Sequence, residues 1–151
     1  MLDEYSKQIN EAFMGIYDSV QRVEERMLKS SNFDLSICEL DILQCIGKYA
    51  ERGCSVSELA KDYNVTLPTI TVAIKRLESR NYVEKVRSQS DGRMVNIVLT
   101  RLGKKADAAH VYFHERMVRS FLKDVDEETR PVLLDALNNL GTFLKKMGEI
   151  Q

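Results

Sequence analysis

The stretch Thr66-Leu67-Pro68-Thr69-Ile70-Thr71-Val72-Ala73-Ile74-Lys75-Arg76-Leu77-Glu78-Ser79 decides the fold. Thr66 is a good N-cap, because its hydroxyl can accept an unpaired N–H of a first helical turn. Pro68 is tolerated in that turn, where its missing N–H costs nothing. Ile70, Ala73, Ile74 and Leu77 recur at helical spacing, so one side of a helix running to about Ser79 faces a core. The other side carries Pro68, Val72, Lys75 and Arg76, with Thr69 and Thr71 on its flanks. Small hydroxyl and methyl groups near a helix start can approach base edges in a major groove, including a thymine methyl. The two cations further along can reach phosphates.

Working outward, Ser55 with Glu58 forms a capping box that opens a short helix bearing Val56, Leu59 and Ala60. Ser36 with Glu39 forms another, opening a helix that carries Leu40, Leu43, Ile46 and Ala50 and ends at Arg52-Gly53. Downstream, Tyr82 to Arg87 and Met94 to Leu99 read as two strands. Their link, Ser88-Gln89-Ser90-Asp91-Gly92-Arg93, contains the Asp-Gly hairpin signal. A helix-turn-helix followed by a hairpin is a winged helix.

Long helices flank it. Ile9, Phe13, Ile16, Val20, Val23 and Met27 recur in steps of four and three, giving one apolar stripe on a helix from about Asp3 to Leu28. Thr100 caps a helix with Leu102, Ala106, Ala109, Phe113, Met117 and Phe121. Asp126-Glu127-Glu128 opens a last helix with Leu133, Leu137, Leu140, Leu144 and Met147, its acids suited to the positive helix start. These stripes exceed what one small domain needs, so Ile9, Phe13, Leu133, Leu137, Leu140 and Leu144 are candidate dimer contacts. The expected architecture is mainly α with a small β-hairpin wing. Residues 35–121 form a winged helix-turn-helix core with its connecting long helix, and residues 1–34 and 122–151 supply dimerisation helices.

Composition narrows the function. With 151 residues, 44% hydrophobic and 30% charged, the chain can bury a core. It has no 18-residue apolar run, and Met1-Leu2-Asp3-Glu4 opens on acid rather than on a signal peptide, so a soluble cytoplasmic protein without a membrane partner is expected. Cys38, Cys45 and Cys54 are odd in number and lack CxxC spacing, as reduced thiols would. The net charge of −1 hides a basic centre: from Lys61 to Lys105 there are ten Lys and Arg against four Asp and Glu, which suits a polyanionic partner. No Gly-rich phosphate loop, HExxH or serine nucleophile motif points to an enzyme or to a cofactor.

Other residues leave two readings each. Arg93, at the wing tip, can enter a minor groove. Asp91 either holds an arginine by a salt bridge or makes the turn with Gly92. His110 and His114 stand at i and i+4, which can place two imidazoles on one metal with Glu24, Glu25, Cys38 or Glu39 completing it. They can equally line a pocket, and two ligands do not close a zinc site, so no resident metal is expected. Cys38 falls in a first helical turn, where the dipole favours a thiolate and would suit a redox sensor, or it is a small buried hydrophobe. Ile16, Tyr17, Val20, Met27, Leu40, His110, Phe113 and His114 are expected to line an apolar ligand crevice.

The blocks Ser55-Val56-Ser57-Glu58-Leu59-Ala60-Lys61 and Val65-Thr66-Leu67-Pro68-Thr69-Ile70-Thr71 resemble the MarR family of bacterial regulators. So do Arg76-Leu77-Glu78, Tyr82-Val83, Asp91-x-Arg93 and Leu99-Thr100-x-x-Gly103. The resemblance covers essentially the whole chain. It implies a homodimer on palindromic double-stranded DNA, a ligand crevice between dimer helices and winged helix, and Arg93 as the wing arginine with Asp91 as its orienting partner. The DNA-binding set is then Ser55, Thr66, Pro68, Thr69, Thr71, Val72, Lys75, Arg76, Asp91 and Arg93. Glu24-Glu25, Ile46-Gly47-Lys48-Tyr49 and His110-x-x-Phe113-His114 are similar to a branch of that family that represses fatty-acid synthesis. That likeness implies acyl-ACP as corepressor. The chain departs from the branch at Gly92, where such wings carry a second arginine. A phenolic ligand, a metal or an oxidant is the alternative signal, and a helical interaction module without DNA is the alternative of another class.

Overall fold

Each α-helix begins on a side-chain oxygen. Asp3, Ser36, Ser55 and Thr66 cap α1 (Glu4–Ser30), α2 (Ile37–Gly47), α3 (Val56–Asp62) and α4 (Leu67–Ser79). Thr100 Oγ1 accepts from the Gly103 N–H at the start of α5 (Arg101–Leu122), and Asp126 Oδ1 accepts from the Thr129 N–H at the start of α6 (Thr129–Gly148). Ser36 with Glu39 and Ser55 with Glu58 close as full capping boxes. The computed structural model describes residues 1–88 and 91–148. Gln89 and Ser90, part of the expected hairpin link, lie outside the described residues. The chain forms two units, Met1–Val111 and Tyr112–Gln151.

The first unit is the winged helix plus α1. Strands β1 (Val83–Arg87) and β2 (Val95–Leu99) pair antiparallel with Val83 opposite Leu99 and Arg87 opposite Val95. Its core joins residues the helical spacing placed inside, Leu40, Leu43 and Ile46 of α2, Leu59 of α3, Ile70, Ile74 and Leu77 of α4 and Ala106 of α5, to Val83, Ile97 and Leu99 of the wing. Burying an aliphatic side chain stabilises by about 1.5–3 kcal/mol, so this cluster holds the helix-turn-helix to the hairpin.

Two features depart from the sequence reading. Ala50 does not extend the inner face of α2. It is exposed, at φ 49°, in a 3₁₀ turn over Ala50–Arg52 that follows the end of α2 at Gly47. Cys54 then adds a short third rung to the wing, exchanging backbone hydrogen bonds with Ile97 at 3.1 and 2.7 Å. Gly53 makes this possible: its φ is +66°, and a Cβ there would overlap the Ile97 carbonyl oxygen.

The helix that leaves the wing is fixed just as closely. Thr100 Oγ1 donates to the Asn81 carbonyl at 2.6 Å and lies 3.1 Å from that of Tyr82. A Cβ at Gly103 would overlap the Tyr82 carbonyl oxygen, so α5 begins in backbone contact with the start of the wing.

The long helices present apolar faces to solvent in the single chain. On α1, Ile9, Phe13, Ile16 and Val23 are exposed, Val20 and Met27 are half-buried, and Glu24 alone is buried. In the second unit, Leu137, Phe143, Leu144 and Met147 of α6 are exposed while Leu133 and Leu140 are half-buried. At 100° per residue, Val132, Leu133, Leu137, Leu140, Phe143, Leu144 and Met147 share one arc of about 140°.

Candidate nucleic-acid interface

Helix α4 sits with Ile70, Ile74 and Leu77 in the core, which turns Pro68, Thr69, Val72, Lys75 and Arg76 outward, all exposed. The structure thus brings the expected reading residues onto one face. It changes what they offer. Thr66 Oγ1 accepts from the Thr69 N–H at 3.4 Å, and the Thr66 and Thr69 hydroxyls bond each other at 2.8 Å. Thr71 Oγ1 donates to the Leu67 carbonyl at 2.7 Å. Ser55 Oγ accepts from the Glu58 N–H as part of its capping box. The hydroxyl residues expected at the DNA therefore each commit part of their hydrogen-bonding capacity to helix ends and turns.

At the wing, Asp91 Oδ1 accepts from the Arg93 backbone N–H at 3.0 Å, and the Met94 N–H bonds the Asp91 carbonyl at 2.9 Å. Asp91 orients Arg93 through the backbone, and among the described residues no ion pair joins the two side chains. Arg93 stands exposed. On the neighbouring surface Glu78 is taken by Lys85 at 2.8 Å, which ties α4 to β1.

Sequence reasoning missed the residue that seats α4. Arg80, at the C-cap, donates to the Asp34 carbonyl at 2.6 Å and pairs with the Glu39 carboxylate. Glu39 also accepts from the Ser36 N–H, and the Asp34 N–H donates to the Tyr82 hydroxyl at 3.0 Å. Burial pushes the Glu39 carboxyl up, but the Arg80 guanidinium and the Ser36 N–H outweigh it and hold the group below its ordinary range. No local signal marks Arg80, because its partners lie more than 40 residues earlier in the chain.

The expected pocket residues of the first unit divide. Leu40 sits in the core, Val20 and Met27 are half-buried, and Ile16 and Tyr17 are exposed. His110 is fully buried, its Nε2 3.2 Å from Glu24 and 4.0 Å from Asp41. Phe113 and His114 belong to the second unit, with their rings edge to face at 5.2 Å. Cys38 is exposed, while Cys54 is buried and its thiol is pushed up to about 12 by that burial.

The family model described as "Transcriptional regulator SarA/Rot" matches residues 27–109, over half the chain and all of the helix-turn-helix and wing. The chain belongs to this family. The HTH-type transcriptional regulator YdgJ of Bacillus subtilis is 31% identical over 113 residues, which are 72% of this chain and 68% of the relative. The crystal structure of Streptococcus pneumoniae FabT in complex with DNA is 35% identical, with a TM-score of 0.80, covering 94% of this chain and 99% of that one. A MarR family protein from Bacillus stearothermophilus, 19% identical with a TM-score of 0.68 over 96% of this chain and 99% of that one, shares the fold. The chain is a winged-helix transcriptional regulator, and its fold is that of the MarR family protein. No helix among the described residues is long and apolar enough to cross a membrane.

The Glu39 carboxyl gives a test of how α4 is seated. A group whose folded pKa is depressed contributes stability above its unfolded pKa, about 4.3 for glutamate, and loses it as pH falls through the lower folded value. Glu39→Gln should therefore lose about 1–2 kcal/mol at pH 7. Its urea unfolding curves should converge with wild type as pH falls below 4.3. A constant gap across that range would show that Glu39 acts by packing and not by charge.

Proposed function

We propose that this chain is a cytoplasmic, homodimeric repressor that binds a palindromic DNA operator and controls fatty-acid biosynthesis genes with acyl-ACP as corepressor. The observation that carries the DNA reading is the exposed α4 face with Lys75 and Arg76 about two turns beyond its start, beside a wing that presents Arg93. Lys75 and Arg76 reach phosphates, Arg93 enters the adjacent minor groove, and the α4 face meets the bases. The solved relative FabT, at 35% identity over nearly its whole length, carries DNA in its crystal.

The dimer follows from the exposed seams. Ile9, Phe13, Ile16, Val20, Val23 and Met27 alternate in steps of four and three, as do Leu133, Leu137, Leu140, Leu144 and Met147. That is the spacing at which one helix packs along another. A second copy covers these faces and sets two α4 helices one DNA turn apart, about 34 Å. The resemblance to fatty-acid-synthesis repressors supplies the signal. A long-chain acyl group bound to the chain acts by favouring the dimer spacing that fits the operator.

Operator duplexes selected from a random pool test the reading directly. Long-chain acyl-ACP should raise their affinity for the dimer. Unchanged affinity with acyl-ACP, together with a shift on adding zinc or peroxide, replaces the lipid signal with the metal or thiol one.

The residue roles are separable by salt. Lys75→Ala and Arg76→Ala should each flatten the dependence of log affinity on log salt by about one unit, whatever the sequence. Arg93→Ala should cost about 1–3 kcal/mol on the operator and leave the fold intact. A lysine variant that altered sequence preference with an unchanged slope would reverse the assignment.

Dimerisation is checked by sedimentation. Leu137→Glu with Leu140→Glu buries unpaired charge in the interface and should yield monomers or insoluble protein without operator affinity. A stable, DNA-binding monomer would refute the dimer.

A further inference from the structure

The α4 face that meets DNA has an unusual chemistry for a reader. Its hydroxyls are engaged inside the helix: Thr66 with Thr69, Thr71 with the Leu67 carbonyl at 2.7 Å, and Ser79 with the Arg76 carbonyl at 2.8 Å. Of the side chains that stand outward in the first two turns, Leu67, Pro68 and Val72 are apolar, and the fourth, Thr69, has its hydroxyl bonded to that of Thr66. Val72 and Leu67 are each 50% exposed, and Pro68 has no N–H to give. Cations follow directly at Lys75 and Arg76.

An apolar surface flanked by cations matches one feature of a polyanionic duplex. In the major groove each base pair shows hydrogen-bonding atoms, and only thymine adds a methyl group. Val72 set against guanine O6 and N7 would desolvate two acceptors without replacing their bonds, which costs free energy. Against a thymine methyl it gains by burial.

We infer that α4 recognises its half-site chiefly by seating a thymine 5-methyl group against Val72, rather than by hydrogen bonds to base edges. This rests on the DNA reading proposed above and names what is read. Leu67 and Pro68 extend the same apolar patch toward the helix start. The wing and the two cations hold the duplex in register and carry little of the base preference.

The first arm changes only the DNA, and the second only Val72. An operator is enriched from a random duplex pool with the full-length dimer. Each thymine is then replaced singly by deoxyuridine, which removes the methyl and keeps every hydrogen-bonding atom. One or two positions per half-site should lose about fourfold in affinity each, the factor for one buried methyl group. The salt slope should not move, because no phosphate contact is lost. Val72→Ala, at an exposed position that leaves the core intact, should weaken the thymine operator by a similar factor. It should also erase the difference between thymine and uracil at the matching position. Equal binding of all uracil duplexes overturns the inference while leaving DNA binding in place. So does a tenfold loss on replacing a purine N7 by carbon, which would assign the reading to hydrogen bonds. Failure to enrich any duplex overturns the inference together with the DNA reading beneath it.

Discussion

Arg80 holds α4 where it is. Its guanidinium bonds the Asp34 carbonyl and the Glu39 carboxylate, while Tyr82, two residues on, accepts the Asp34 N–H. An ion pair taken largely out of water is costly unless its remaining hydrogen-bonding capacity is filled. Here Glu39 is also bonded to the Ser36 N–H, and Arg80 Nε donates to the Arg76 carbonyl. The C-terminus of α4, the start of the wing and the cap of α2 are thereby one rigid junction. The exposed face of α4 takes its direction from that junction and from the three aliphatic side chains behind it.

Much of this was legible in sequence, for a physical reason. Caps and apolar periodicity are local, so Ser36, Ser55 and Thr66 mark helix starts, and Ile70, Ile74 and Leu77 mark the inner side of α4. The hairpin followed from the Asp91-Gly92 turn signal between two strand-like runs. What stayed hidden is nonlocal or rotameric. Cys54 joins the wing by a single residue's backbone pairing, which leaves no period to detect. Ala50 matched the spacing of α2, but the chain leaves the helix before it.

The interface shows the same division. That Thr66 caps α4 and that Thr69 and Thr71 lie on it was readable, whereas the direction of each hydroxyl is a side-chain torsion that residue identity does not determine. The family resemblance implies that Asp91 orients Arg93, and the bond between them runs to the backbone N–H. The apolar seams of α1 and α6 were visible as pattern, and only their exposure shows that the single chain leaves them uncovered.

The buried Glu24 gives α1 a mechanical character. It is the one buried residue of a 27-residue helix, and it meets His110 at 3.2 Å. At 1.5 Å per residue, the first turn of α1 lies about 30 Å from that point. A tilt of about 5° about Glu24 therefore sweeps the free end through about 3 Å, given the stiffness of a continuous helix. The helix is a lever with a long outer arm, and a sub-ångström adjustment at its fulcrum is magnified several-fold at its tip.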